Sequence, residues 1–201
     1  AVLLDRSQPI YLEGYHRPDY RSKDDAVFDA ITDLMSEGRT SRLYRALVRD
    51  KKIASQSAGF SGMPGTKYPH LFAFYAVPLP GHTNQEMANA IHAEIDKIKK
   101  EDISDDELKM IKTRSKANLL RGLADNEGLA TQLATYQTRY GDWRELFRSV
   151  DRIDKVTKAD IRRIANETFL DTNRTVGVIE NSGAAGGEKP SNDSADQGAA
   201  Q

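Results

Sequence analysis

Hydrophobic and polar positions alternate in part along Pro9-Ile10-Tyr11-Leu12-Glu13-Gly14-Tyr15, a pattern that predicts a strand. A loop containing Pro18 follows. Ser22-Lys23-Asp24-Asp25 then offers a helix start with an acidic first turn. Val27, Ile31 and Leu34 recur at helical spacing, and Gly38 is a stop. A second helix is expected over 40–52, burying Leu43 and Leu47 while Arg42, Arg45 and Arg49 line another face. Two strands follow, over 55–63 and 71–77, separated by the turn formers Pro64-Gly65. In the second, Leu71, Ala73, Tyr75 and Val77 alternate with Phe72, Phe74 and Ala76, so both faces are apolar. Such a strand is expected to be covered on both sides, on one of them by a partner.

From Thr83 the period changes to that of helices. Thr83-Asn84-Gln85-Glu86 is a capping box before Met87, Ile91, Ile95 and Ile98, and Ser104-Asp105-Asp106-Glu107 opens a helix carrying Leu108, Ile111 and Leu119. Gly122 and Gly128 bracket a break. Leu129, Leu133, Tyr136 and Tyr140 form the next stripe, which Gly141 ends, and Trp143, Phe147 and Val150 mark another helix. Thr157 caps a last helix that buries Ile161, Ile164 and Phe169, and 175–179 reads as a closing strand. Beyond Asn181 no apolar residue is larger than Ala, so 182–201 is expected to be a disordered low-complexity tail, leaving 1–181 as the folded module. The order of elements argues for an α+β fold with an antiparallel sheet packed against helices on one face.

Composition narrows the function classes. Of 201 residues, 38% are hydrophobic and 29% charged, with 29 basic against 30 acidic side chains interleaved along the chain. That balance points neither to nucleic acid nor to an anionic membrane surface. No apolar run is long enough to span a bilayer. The chain begins at Ala1 and turns apolar at once with Val2, Leu3 and Leu4, as a mature or excised piece would. Cysteine is absent, which removes disulfides, thiol catalysis and thiolate metal sites together.

No catalytic centre assembles from the residues alone. His16, His70, His82 and His92 have no second histidine three or four positions away, so no helix offers two imidazoles to one metal. Ser61-Gly62 lacks the pattern around a hydrolase nucleophile, the glycines make no phosphate loop, and Asp105 and Asp106 suit the first turn of a helix.

The stretch from Ser36-Glu37-Gly38-Arg39-Thr40-Ser41-Arg42-Leu43 through Leu47, Arg49 and Ala54 resembles a segment of the insulinase and pitrilysin (M16) zinc peptidases, in which a Gly-rich turn leads to Ser-Arg-Leu and then to an Arg before a strand. Gly14-Tyr15, Pro18 and Asp25 upstream, and Ser104 to Leu108, Lys112, Gly128-Leu129-Ala130, Val156 to Ile161 and Asn173-Arg174-Thr175-Val176 downstream, fit the same module in order. The resemblance implies a mitochondrial-processing-peptidase-like module that pairs with a homologous one across a closed chamber. The inverted zinc motif His-x-x-Glu-His is absent, which implies the C-terminal-type half: no metal or cofactor in this chain, and zinc in the partner module of the same polypeptide or another subunit. In active members that half supplies an Arg and, seven residues later, a Tyr that hold the peptide substrate. Arg49 matches the Arg, while Gln56 stands in place of the Tyr. An amide donates a hydrogen bond as a phenol does, with different reach and acidity. For Arg49 the bland alternative is a cation complementing a helix C-terminus. Two readings follow from the resemblance: part of a zinc metalloendopeptidase, inactive alone, or an inert scaffold subunit. With the absence of cysteine, it also points to the bacterial periplasm or envelope.

Overall fold

A computed structural model describes residues 1–5 and 7–181, and the expected tail lies outside the described residues. Within them the chain runs β1 (Val2–Asp5), β2 (Ile10–Arg17), α1 (Asp25–Ser36), a π-helical segment (Tyr44–Asp50), β3 (Ala54–Met63) and β4 (His70–Pro78). It continues as α2 (Asn84–Lys100), α3 (Asp105–Gly122), α4 (Asn126–Tyr140), α5 (Glu145–Lys155), α6 (Lys158–Thr168), a 3₁₀ turn (Asp171–Asn173) and β5 (Arg174–Asn181). The strands form one sheet in the order β1-β5-β2-β4-β3. Neighbours from β5 to β3 are antiparallel, whereas β1 runs parallel to β5 with Val2 opposite Val178. The α+β expectation therefore holds with a mixed sheet. Val2-Leu3-Leu4 shows neither alternation nor a turn signal, so nothing local marks β1; its pairing with a strand from the far end of the chain makes it one.

The two faces of the sheet differ. Cross-strand partners share a face, so Tyr11, Ala76 and Ser57 point one way, and Leu12 and Tyr75 the other. The first face lies under the helices. Phe72, Phe74 and Ala76 are completely buried there, and Phe169 after α6 packs edge-on against Tyr15, Phe72 and Phe74 at 5.1–5.3 Å between ring centroids. Each such pair adds about 0.5–1.5 kcal/mol beyond its buried area. Gly59 in β3 faces Phe74, and a Cβ there would stand 2.7 Å from the ring. The missing side chain is the space the phenyl fills.

Helix starts follow the caps read from the sequence. Thr83, Ser104 and Thr157 each accept from the backbone N–H three residues on, and Glu86, Glu107 and Asp160 return the bond. Buried Met87, Ile91, Ile95 and Ile98 seat α2 on the core. The α3–α4 corner depends on Gly128, where a Cβ would meet the Gly122 carbonyl at 2.6 Å. Gly141, with φ +77°, closes α4 in the left-handed conformation. In α5 the structure corrects the expected stripe: Leu146 and Ile153 are buried, while Trp143 and Phe147 are exposed and pack on each other. The helix begins at Glu145, so the i, i+4, i+7 face runs Leu146, Val150, Ile153. Trp143 lies before that helix and Phe147 falls one position off its inner face.

Candidate functional site

Among the described residues, no helix covers the second face of the sheet. It carries Leu12, Phe60, Leu71, Tyr75, Val77 and Ile179, all half-buried, with the rings of Phe60 and Tyr75 meeting at 6.1 Å. This is the apolar face that the alternation in β4 leads one to expect beneath a partner.

Gln56 stands on this face at the start of β3, whereas Arg49 lines a separate pocket with Arg42, Arg45, Glu94, Lys97 and Glu107, beside α2 and α3. Instead of a regular helix over 40–52, the backbone forms a π-helical segment whose last turn contains Arg49 and whose inner side buries Leu47. The segment unwinds through Lys52 at φ 53°, and Ile53 N–H donates to the Leu47 carbonyl at 3.0 Å. In β3 the register then slips between Ala54, opposite Pro78, and Gln56, opposite Val77. That bulge brings Gln56 rather than Ser55 into register with Val77, and so onto the uncovered face. Gln56 is exposed. The Arg49 guanidinium, also exposed, donates from Nε to Asp50 Oδ1 at 2.6 Å and from Nη2 to Oδ2 at 3.1 Å. Those bonds hold Arg49 above and Asp50 below their usual pKa ranges. No bond joins Arg49 to Gln56. Arg42 and Arg45 turn to another partner: Arg42 binds Glu107 through two bonds at 2.9 and 3.0 Å, and Arg45 lies 3.8 Å from it.

The histidines are each engaged singly or exposed. His70 Nδ1 is 2.9 Å from the Tyr68 carbonyl, His82 meets the capping Glu86, and His16 is exposed. His92 Nε2 lies 2.7 Å from both Glu13 Oε2 and Arg174 Nη1. Glu13 is wholly buried and also accepts from the Tyr11 hydroxyl at 2.8 Å, while its other oxygen has no partner. Burial, and then the Glu13 charge, push the Tyr11 and Tyr15 hydroxyls far above the ordinary range. No local pattern signals this group, since its members come from three separate elements. Among the described residues no three His, Asp or Glu side chains stand together as a metal site.

A cavity of about 250 Å³ between α1, α3, α4 and α5 is lined in part by Asp25, Asp29, Ser115, Asn118, Gln132 and Arg152. Desolvation among the helices, followed by repulsion from Asp25, raises the Asp29 carboxyl to about 6.

The fold is a single α+β module with one apolar sheet face left uncovered among the described residues. Residues 2–115 match the family described as the peptidase M16 inactive domain, and the chain belongs to that family. It is 31% identical over 162 residues, 81% of the chain, to a zinc protease, PqqE, of Helicobacter pylori. It spans only 36% of that relative's length. A protease structure from Helicobacter pylori superposes with a TM-score of 0.83 at 28% identity, covering 90% of this chain and 43% of that one. The inactive peptidase domain of a candidate zinc protease from Bordetella parapertussis gives 0.74 at 26% identity, covering 87% of this chain and 93% of that one. The first two relatives are more than twice as long as the part this chain matches; the third is a module of similar extent.

Proposed function

We propose that this module completes the substrate chamber of an M16-type zinc peptidase and holds the peptide backbone for cleavage by a homologous zinc-bearing module. The observation that carries this reading is the uncovered apolar sheet face with Gln56 at its β3 edge, Arg49 lying seven residues earlier in the π-helical segment that leads into β3. A face of that kind is suited to closing against a second module. The zinc and its bound water belong to the partner, and this chain's part is positioning. Arg49 supplies up to five N–H donors to backbone carbonyls, and Gln56 supplies an amide N–H directed by the bulge. Arg49 must first exchange its bond to Asp50 for the substrate, which its exposure allows. The relatives named as zinc proteases, and the inactive domain among them, support the reading.

The pairing of Arg49 with Asp50, together with Gln in place of Tyr, favours a second reading: an inert scaffold of the same fold. The two separate in one experiment. In a complex reconstituted with a zinc-bearing module, Arg49→Ala is expected to lower kcat/KM by roughly 10–100-fold, as loss of a hydrogen bond from a charged donor does. Cleavage unchanged by Arg49→Ala and by Gln56→Ala would leave only the scaffold.

A further inference from the structure

A groove of about 700 Å³ runs between the β3–β4 turn, the loop after β2 and the outer side of α4. Its wall holds Tyr20, Arg21, Thr66, Lys67, Thr135 and Arg139, and no carboxylate lines it. Tyr20 is buried and ties the three elements together. Its backbone N–H donates to the Thr66 carbonyl at 3.3 Å, and its hydroxyl donates to the Arg139 carbonyl. The groove lies beyond the Met63 end of β3, and Gln56 stands seven residues from Met63, about 23 Å along the strand.

The charge of this groove is unbalanced in a chain where it need not be. Most described arginines pair with a carboxylate within 4.0 Å, and several pair with two or three. Arg21, Lys67 and Arg139 show no such pair among the described residues. The Asp19 carboxylate accepts from the Arg21 backbone N–H, at 2.9 Å, and Asp29 feels Arg139 only from a distance. The three cations instead lie against ring faces: Arg21 and Arg139 at 5.4 and 5.9 Å from the Tyr20 centroid, and Lys67 at 5.6 Å from that of Tyr68. Stacked guanidinium groups keep their edges free for planar, bidentate acceptors. The hydroxyls of Thr66 and Thr135 add neutral partners suited to peptide amides.

We propose that this groove binds an acidic peptide segment, its carboxylates held by Arg21, Lys67 and Arg139 and its backbone resting over Tyr20 and the threonines. The volume lies within the range of small-ligand and peptide clefts, roughly 300–1,000 Å³, and exceeds what one phosphate fills. Three cations in a chain of net charge −1 are a poor match for an extended nucleic-acid backbone. The site is independent of the chamber reading, since it needs neither zinc nor a second module.

Fluorescence anisotropy of a labelled peptide of about ten residues rich in Glu and Asp, against its Gln/Asn counterpart, tests this on the 201-residue chain. The acidic peptide is expected to bind at about 50 mM salt, at least about tenfold more tightly than the neutral one, and to weaken severalfold at about 500 mM. The triple variant R21Q/K67Q/R139Q is expected to lose about tenfold or more in affinity, and the charge-keeping R21K/R139K to retain salt-sensitive binding. All three side chains are exposed, so circular dichroism and the melting temperature should not change. If the triple variant does unfold, R21Q and K67Q singly decide by the same comparison. Equal binding of the neutral peptide, undiminished binding by the charge-removing variants, or binding of inorganic phosphate without the peptide would each overturn the proposal.

Discussion

Glu107 joins two parts of the structure, and replacing it with Gln isolates the charge that does so. One of its oxygens caps α3, accepting from the Ser104 N–H at 2.9 Å and the Ser104 hydroxyl at 3.0 Å, while the pair of oxygens also receives Arg42 at 2.9 and 3.0 Å. Burial pushes the carboxyl upward, but the bonds from Arg42 and Ser104 outweigh it and bring the pKa to about 2, from an ordinary 4.5. The side chain is 17% exposed, so solvent screening takes little from the effect. A drop of roughly 2.5 units corresponds to about 3 kcal/mol of stability at pH 7. The sign follows from the depressed folded pKa: the contribution is whole above about 4.5 and is lost as pH falls toward 2. Glu107→Gln is therefore expected to be less stable than the parent by about 3 kcal/mol at pH 7, and by about 2 kcal/mol less than that at pH 3. Carboxylates elsewhere titrate in both proteins and cancel in the difference. Urea denaturation followed by circular dichroism at several pH values measures it. A stability difference that stays constant from pH 7 to pH 3 would refute the reasoning, because a lost helix cap alone does not titrate.

Two further substitutions test the packing. Gly59→Ala places a methyl carbon 2.7 Å from the fully buried Phe74 ring and should destabilise by about 1–3 kcal/mol, lowering Tm by several degrees, whereas Gly65→Ala, with open space around it, should leave Tm nearly unchanged. Arg174→Met takes away a cation 3.7 Å from the buried Glu13 carboxylate and should cost about 3–5 kcal/mol at pH 7, most of which the double variant Glu13→Gln/Arg174→Met recovers. Simply additive losses in that pair, read from urea midpoints, would show that charge is not what joins them.

Local signals carried much of the fold and little of the site. The three capping boxes and the glycine at 141 are short-range chemistry, and α2, α3 and α6 begin, and α4 ends, where they stand. The double-sided apolar pattern of β4 correctly foretold a core face and a second apolar face, because strand alternation exposes both to reading. What needed three dimensions was not legible. β1 exists only through β5, and the buried stripe of α5 depended on a start point that Trp143 disguised. The Glu13, His92 and Arg174 group joins β2, α2 and β5 over a separation of 161 residues, counting from 13 to 174. The expected helix over 40–52 became a shorter π-helical segment between Gly38 and the left-handed Lys52, yet it still buried Leu43 and Leu47. Arg49 and Gln56 were named by resemblance. The structure adds their exposure, the Asp50 pair and the bulge that aims Gln56.

The role proposed for this M16 inactive domain is to position substrate for a zinc-bearing partner module. Cleavage of a mixed library of fluorogenic peptides tests it most directly, with the purified chain assayed alone and after pairing with a zinc-bearing module, each with added zinc and with a chelator. The account predicts no turnover by the chain alone and chelator-sensitive cleavage by the pair. Chelator-sensitive cleavage by the chain alone would contradict it.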